Sequence, residues 1–196
     1  MGGTGSGKTT LAANLAEGLP NGAIATLCQD SYYTPHPELS PNSRDALNFD
    51  HPRAVDFDLL VDHLDALAQQ QPVEVPIYDF VSHLRHPHTR TVQPASIILV
   101  EGILLFVEER IRERLDLKLF VDTDADVRSF RRIKRDMAER GRSFAQVESQ
   151  YFTTVRPMHL QYVEPAKRWA DITVPGGGNN EVAVDLVLSK LRPLCK

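Results

Sequence analysis

The most constrained chemistry lies at the start of the chain, in Gly2-Gly3-Thr4-Gly5-Ser6-Gly7-Lys8-Thr9. A glycine, four residues, then Gly-Lys-Thr is the pattern of a phosphate-cradling loop. The glycines let the backbone curl so that successive N–H groups point at an anion. Lys8 adds a mobile positive charge for the outer phosphates, and Thr9 offers a hydroxyl to magnesium. Thr10-Leu11-Ala12-Ala13-Asn14-Leu15-Ala16 reads as a helix whose N-terminus faces the same phosphates. Gly2 through Thr10 is therefore the expected nucleotide-binding set. A flexible Gly/Ser tag is the bland alternative, but a tag has no reason to run through Lys-Thr into an apolar helix.

Three acids could work beside such a loop. Ala23 to Cys28 reads as a buried parallel strand, and Asp30 follows its C-terminal end. Ligands bind at that edge in open α/β sheets. Asp30 could align or deprotonate an acceptor hydroxyl, handle a metal, or merely cap a turn. Ile97-Ile98-Leu99-Val100 is a second buried strand, ending in Glu101. With Thr9, Glu101 and Asp30 form the expected magnesium side. Asp50, in Asn48-Phe49-Asp50-His51-Pro52, is taken alone more simply a capping residue than a ligand contact.

Residues 131 to 142 carry six basic residues against two acids, in a chain of formal net charge -4. A solvated helix face would suffice to explain them. The functional reading is a mobile lid over residues 131–150, hinged at Gly141, that brings Arg132, Arg140 and Arg142 onto transferring phosphates.

The remaining elements must position these groups. Asp56 to Ala68 is an amphipathic helix with Leu60, Leu64 and Leu67 on its core face. Val73 to Phe80 alternates with period two, and Pro76 assigns it to an edge. Thr89 to Gln93 could pair with it, making residues 73–93 a small hairpin standing off the main sheet. His83, His86 and His88 invite a zinc reading, which the absence of a companion cysteine and the His-Pro-His geometry disfavour. Leu104 to Arg114 reads as helix. Leu117 to Val121 is a strand, and Asp122-Thr123-Asp124-Ala125-Asp126 opens the next helix. Met158 to Glu164 reads as a helix interrupted at Pro165. Asp171 to Val174 is a last strand and Val182 to Leu191 a closing helix.

Alternating strands and helices after a phosphate loop predict an α/β, three-layer P-loop NTPase fold with a parallel sheet, the hairpin insertion and the helical lid. Such a loop normally follows a buried strand, yet only Met1 precedes Gly2. That first strand is expected to be missing, at a cost in stability. The 196 residues suffice for one domain. Cys28 and Cys195 have no metal spacing and argue against a disulfide framework. No apolar run approaches the ~20 residues of a membrane span. No secretory signal is visible, so the default expectation is a cytoplasmic protein. The acidic balance and lack of an aromatic stacking platform argue against nucleic acid as a partner. No Asn-Lys-x-Asp motif supports a GTPase.

In order and spacing these motifs resemble the uridine kinase (uridine-cytidine kinase) family. The matching stretches are the phosphate loop, Gln29-Asp30-Ser31-Tyr32-Tyr33, Asn48-Phe49-Asp50-His51-Pro52, Val75-Pro76-Ile77-Tyr78-Asp79-Phe80 and Val100-Glu101-Gly102-Ile103. They continue with Phe120 to Asp126, Arg131-Arg132, Arg135-Asp136, Glu139 to Arg142, and Thr153 to Met158.

The resemblance implies phosphorylation of the 5′-hydroxyl of uridine and cytidine, with ATP, or also GTP, as donor and Mg²⁺ as cofactor. It implies Asp30 as the base for that hydroxyl, Asp50 on the ribose diol, and Arg135 and Gln150 on the sugar side. Tyr78 and His83 would touch the pyrimidine, with Phe80 and Tyr33 walling the pocket. Lys8, Arg132, Arg140 and Arg142 would serve the donor phosphates, and a homotetramer is expected. Gly176 departs from the family pattern, where arginine follows the proline, and Leu84 replaces a small polar residue. A phosphoribulokinase-like small-molecule kinase stays open. So does an inactive nucleotide-binding protein, should the shortened N-terminus be real.

Overall fold

A computed structural model describes residues 1–195. Helix α1 (Lys8–Glu17) leaves the phosphate loop and buries Leu11, Ala12 and Leu15. Strand β1 (Ile24–Cys28) follows and ends in a 3₁₀ turn, Gln29–Tyr32. A short helix α2 (Pro41–Asp45) is capped by Ser40, and a 3₁₀ turn spans Pro52–Ala54, in a region whose Pro, Asn and Asp content reads only as loop. Helix α3 (Phe57–Ala68) starts where Asp56 accepts a hydrogen bond from the Leu59 amide, and buries Leu60, Leu64 and Leu67 as its periodicity predicts.

Strands β2 (Val73–Asp79) and β3 (Leu84–Val92) form an antiparallel hairpin with an irregularity between Pro76 and Tyr78. The return strand begins at Leu84, five residues earlier than the Thr89 read from sequence. Strand β4 (Ile97–Glu101) pairs in parallel with β1 in register from Ile24–Ile97 to Cys28–Glu101. Strand β5 (Leu119–Asp122) pairs in parallel with β6 (Ile172–Pro175). Met1 lies beside β5: its ammonium donates to the Leu119 carbonyl at 2.7 Å, its carbonyl accepts from Val121, and Gly2 bridges Val121 in parallel. Among the described residues the parallel strands thus form two separate pairs.

Two apolar cores result. The larger packs α3, the hairpin base, β1 and residues 103–106; the smaller packs α1 and the closing helix Glu181–Leu191 against Val121 and Val174.

Two expected helices differ from the structure. Residues 104–114 contain only the short helix α4 (Glu109–Arg112). Ile103, Leu104, Leu105 and Phe106 are all buried, and a helix rotates successive side chains too far for four in a row to face one core. They form turns instead, with the Leu104 amide held by the Gln29 side chain at 2.8 Å.

The second difference follows α5 (Ala125–Glu139) and α6 (Phe144–Gln150). The chain does not stop at Pro165. Its backbone stays right-handed helical through two π-helical turns, Tyr151–Val155 and His159–Val163. Pro157 and Pro165 lack the amide an α-helix needs there, so Arg156 donates to Tyr151 and Glu164 to His159, each five residues back.

Candidate active site

The phosphate loop is positioned by its glycines and by what stands behind them. Gly5 and Gly7 have φ of 73° and 89°, values an L side chain resists. A Cβ on Gly5 would strike the Arg128 carbonyl oxygen. Thr123 Oγ1 donates to the Ser6 carbonyl at 2.9 Å, tying the loop to the end of β5.

On the magnesium side, the parallel register of β1 and β4 sets Cys28 opposite Glu101. Glu101 Oε1 accepts from Thr9 Oγ1 at 3.1 Å and from Cys28 Sγ at 3.3 Å. Glu101 Oε2 is buried without a hydrogen-bond partner, as is Ser6 Oγ in the loop. Burial and the neighbouring carboxylates, Asp30 first, push the Cys28 thiol far up, so it is a neutral thiol at physiological pH. A threonine hydroxyl beside an unpartnered carboxylate oxygen is a donor set that fits magnesium carried in on phosphates. Among the described residues no group of three His, Cys, Asp or Glu side chains forms a dedicated metal cage.

One cleft gathers residues far apart in sequence: Thr4 and Lys8 from the loop, Asp30, Asp50, and Arg132, Arg135, Arg140 and Arg142. Asp30 reaches it from the 3₁₀ turn after β1. Asp50 is 7 % exposed, and its amide is held by Asn48 Oδ1 at 3.2 Å. Burial raises its pKa above the usual carboxylate value, opposed by Arg132 and assisted by Asp30.

The far wall is aromatic. Tyr33 meets Phe49 and Tyr78 at ring-centroid distances of 5.3 and 5.2 Å, Phe80 packs on Tyr78 at 5.3 Å, and Phe49 stacks on His83 at 4.6 Å. His83 is buried at a φ of 56°, a left-handed conformation uncommon outside glycine. Its Nδ1 lies 3.4 Å from the Tyr78 hydroxyl and its Nε2 3.3 Å from Asp45 Oδ1. Burial, then Arg142, lowers its pKa, so the neutral ring is favoured. His86 and His88 are exposed on β3 while His83 turns inward.

The arginines are not a loose solvated face. Arg132, 6 % exposed, donates to Thr4 Oγ1 at 3.1 Å and to Gln150 Oε1 at 2.8 Å. Arg142 donates to the same Gln150 oxygen at 2.6 Å. Arg140 lies over the Phe80 ring at 4.2 Å. Fully buried Asp136 joins three of them, with contacts of 3.4 Å to Arg132, 2.8 Å to Arg135 and 3.6 Å to Arg140.

Thr4, Lys8, Asp30, Tyr33, Asp50, Tyr78, Phe80, His83, Arg132, Arg135, Arg140, Arg142 and Gln150 line one cleft. Thr9, Thr10 and Glu101 sit outside that lining, on the phosphate-loop side. Reasoning from sequence assigned no role to Phe49, Asp136 or Asp45. Phe49 and Asp136 sit inside recognised motifs, which was a usable signal; the Asp45–His83 contact has no local signature.

The fold and the phosphate loop define a P-loop kinase. A candidate fructose transport system kinase from Silicibacter sp. TM1040 superposes with a TM-score of 0.68 at 22% identity, covering 89% of this chain and 86% of its own. The phosphoribulokinase of Rhodobacter spheroides superposes at 0.59 with 14% identity, covering 86% and 64%. At those identities the likeness is one of fold.

The pattern of the phosphoribulokinase / uridine kinase family matches residues 1–183. The chain belongs to that family. It is 50% identical over 193 residues to a uridine kinase of Alkaliphilus metalliredigens, covering 98% of this chain and 93% of the relative. It is 50% identical over 190 residues to a uridine kinase of Chloroflexus aggregans, covering 97% and 91%.

Proposed function

We propose that this chain transfers the γ-phosphoryl group of ATP to the 5′-hydroxyl of uridine and cytidine. The observation that carries the reading is two carboxylates, Asp30 and Asp50, sharing one cleft with Lys8 on one side and an aromatic wall on the other. Relatives at 50% identity named uridine kinase support the acceptor.

In this reading the loop amides and Lys8 hold the donor phosphates. Asp50 accepts hydrogen bonds from the vicinal ribose hydroxyls, which favours ribose over deoxyribose. Arg135 and Gln150 orient the sugar side. Tyr33, Tyr78, Phe80 and His83, presented by the hairpin of residues 73–93 and the turn after β1, receive the pyrimidine. Asp30 takes the proton of the 5′-hydroxyl as its oxygen attacks phosphorus in line. The bond from that phosphorus to the bridging oxygen breaks, and ADP leaves. Lys8 from the phosphate loop, with Arg132, Arg140 and Arg142 on the lid of residues 131–150, offset charge spreading over the transferring group. Thr9, Glu101 and Asp30 would hold magnesium or its water, which when bound supplies charge neutralisation between the phosphates.

GTP as a second donor, a homotetramer and a cytoplasmic location complete the reading. No helix among the described residues is long and apolar enough to cross a membrane.

Coupled ADP release measured with a ribonucleoside panel tests the assignment. Turnover is expected with uridine and cytidine, and none with either would overturn it. A preference for a phosphorylated sugar would instead favour the phosphoribulokinase-like alternative. Asp30→Asn is expected to keep nucleoside binding while kcat falls by roughly 10²–10⁴-fold, the usual contribution of a general base. Unchanged turnover would remove Asp30 from that role.

A further inference from the structure

The second π-helical turn, His159–Val163, touches both halves of the cleft from behind. His159 faces the phosphate loop. Its Nε2 lies 3.2 Å from Arg128 Nη2 and 3.3 Å from Glu164 Oε2, and Arg128, itself buried, donates from Nε to the Thr123 carbonyl at 2.9 Å. Arg128 Nη1 and the His159 ring crowd Gly3 so closely that a Cβ there would lie 2.7 Å from the first and 3.0 Å from the second. The loop backbone at Gly3 therefore rests on this pair.

Tyr162 reaches the other way, to the residue after Asp50. Its hydroxyl lies 3.1 Å from His51 Nε2, and the two rings meet edge to face at 5.2 Å. His51 Nδ1 already accepts from the Arg53 amide at 3.1 Å. In a neutral ring the hydrogen then sits on Nε2, so His51 donates to Tyr162. Val163, on the same turn, is buried in the larger core and anchors it.

Residues three apart share a face in an α-helix. The wider turn, closed by the Glu164 amide on the His159 carbonyl, rotates His159 and Tyr162 further from one another. We propose that this turn is a positioning strut between the donor loop and the ribose loop, so that a nucleotide settled on the first favours a nucleoside on the second. Pro165 maintains the strut by withholding the amide that would tighten it into an α-turn.

The inference rests on the functional reading above, and titration calorimetry on the whole chain separates the two. The affinity for uridine is measured with and without a non-hydrolysable ATP analogue. The native chain is expected to bind uridine at least about 5-fold more tightly with the analogue present, the low end of ordinary coupling between sites. Tyr162→Phe keeps the ring and removes the hydroxyl; His159→Leu removes the imidazole that meets Arg128 and Gly3. Each is expected to bring the factor toward one, and the double variant to lower it no further than either single change. Pro165→Ala is expected to lower it while leaving the melting temperature level or higher, which a purely structural role does not predict.

A native factor of one overturns the strut. So do variants that weaken their own ligand and leave the factor intact. Coupled binding without turnover would sink the kinase reading alone, whereas turnover with a factor of one would sink the strut alone.

Discussion

The two halves of the cleft are built on different principles. In the proposed reading the donor half is one continuous stretch, Gly2 to Thr10, in which backbone amides would do the binding and glycine conformations do the shaping. In the same reading the acceptor half is side chains from separated segments: Tyr33, Asp50, Tyr78, Phe80, His83, Arg135 and Gln150. A backbone cradle tolerates almost no change of residue at its glycines, because the conformation itself is the site. A side-chain pocket responds in graded steps, each residue contributing its own contact. Asp136 belongs to neither rule, since it lines neither half and instead holds Arg132, Arg135 and Arg140 together from a fully buried position.

That contrast can be broken at several points. Asp136→Ala should have the largest effect, leaving Arg132 buried without its carboxylate. A loss of about 3–5 kcal/mol in denaturant unfolding is expected for one partner removed from a buried ion pair. A loss of a few tenths would show that the arginines hold one another's positions through Gln150 and Thr4 instead.

Gly5→Ala sharpens the donor side. A left-handed φ costs a side chain roughly 1–2 kcal/mol, and the new Cβ also meets the Arg128 carbonyl. Donor KM should rise by at least about tenfold, with uridine affinity measured without nucleotide little changed.

Asp50→Asn tests the acceptor side through pH. In the proposed reading Asp50 binds the diol as a carboxylate, and burial raises its pKa, so the native uridine KM should climb as pH falls through that raised value. The variant should bind weakly at every pH and lose that limb. The linkage sign is opposite for stability. The folded state holds the Asp50 proton more tightly than the unfolded one, so ionisation costs stability as pH rises through the folded pKa. Asp50→Asn removes that cost, and its melting temperature at neutral pH should hold or rise while nucleoside affinity drops.

Tyr78→Phe should be mildest. It removes one long hydrogen bond to His83 and keeps the ring contacts, so a change of about 0.5–1.5 kcal/mol in uridine affinity is expected from binding isotherms.

Much of this was legible in the chain itself. Local periodicity placed α3 from its leucines and β4 from Ile97 to Val100, and the glycine spacing placed the donor loop without help from the fold. These features depend on neighbours in sequence, where backbone preference and hydrophobic period act directly. The buried turn at residues 103–106 was read as helix because periodicity does not say which core each residue will meet. Pro165 was read as an interruption, although the helix absorbs the missing amide by widening one turn.

By itself, then, the sequence determined the donor loop, the alternation of strands and helices, and which acids end which strands. Only tertiary structure decided that Asp45 meets His83, that Asp136 gathers three arginines, and that one π-turn touches both Gly3 and His51. The Asp136 pairs with Arg132 and Arg140 follow the four-residue spacing of one helix, and only their burial needed the fold; the other contacts join residues whose separation along the chain carries no pattern. They exist because the cores bring their elements together, and a buried charge or polar ring must then find its partner wherever the packing leaves one.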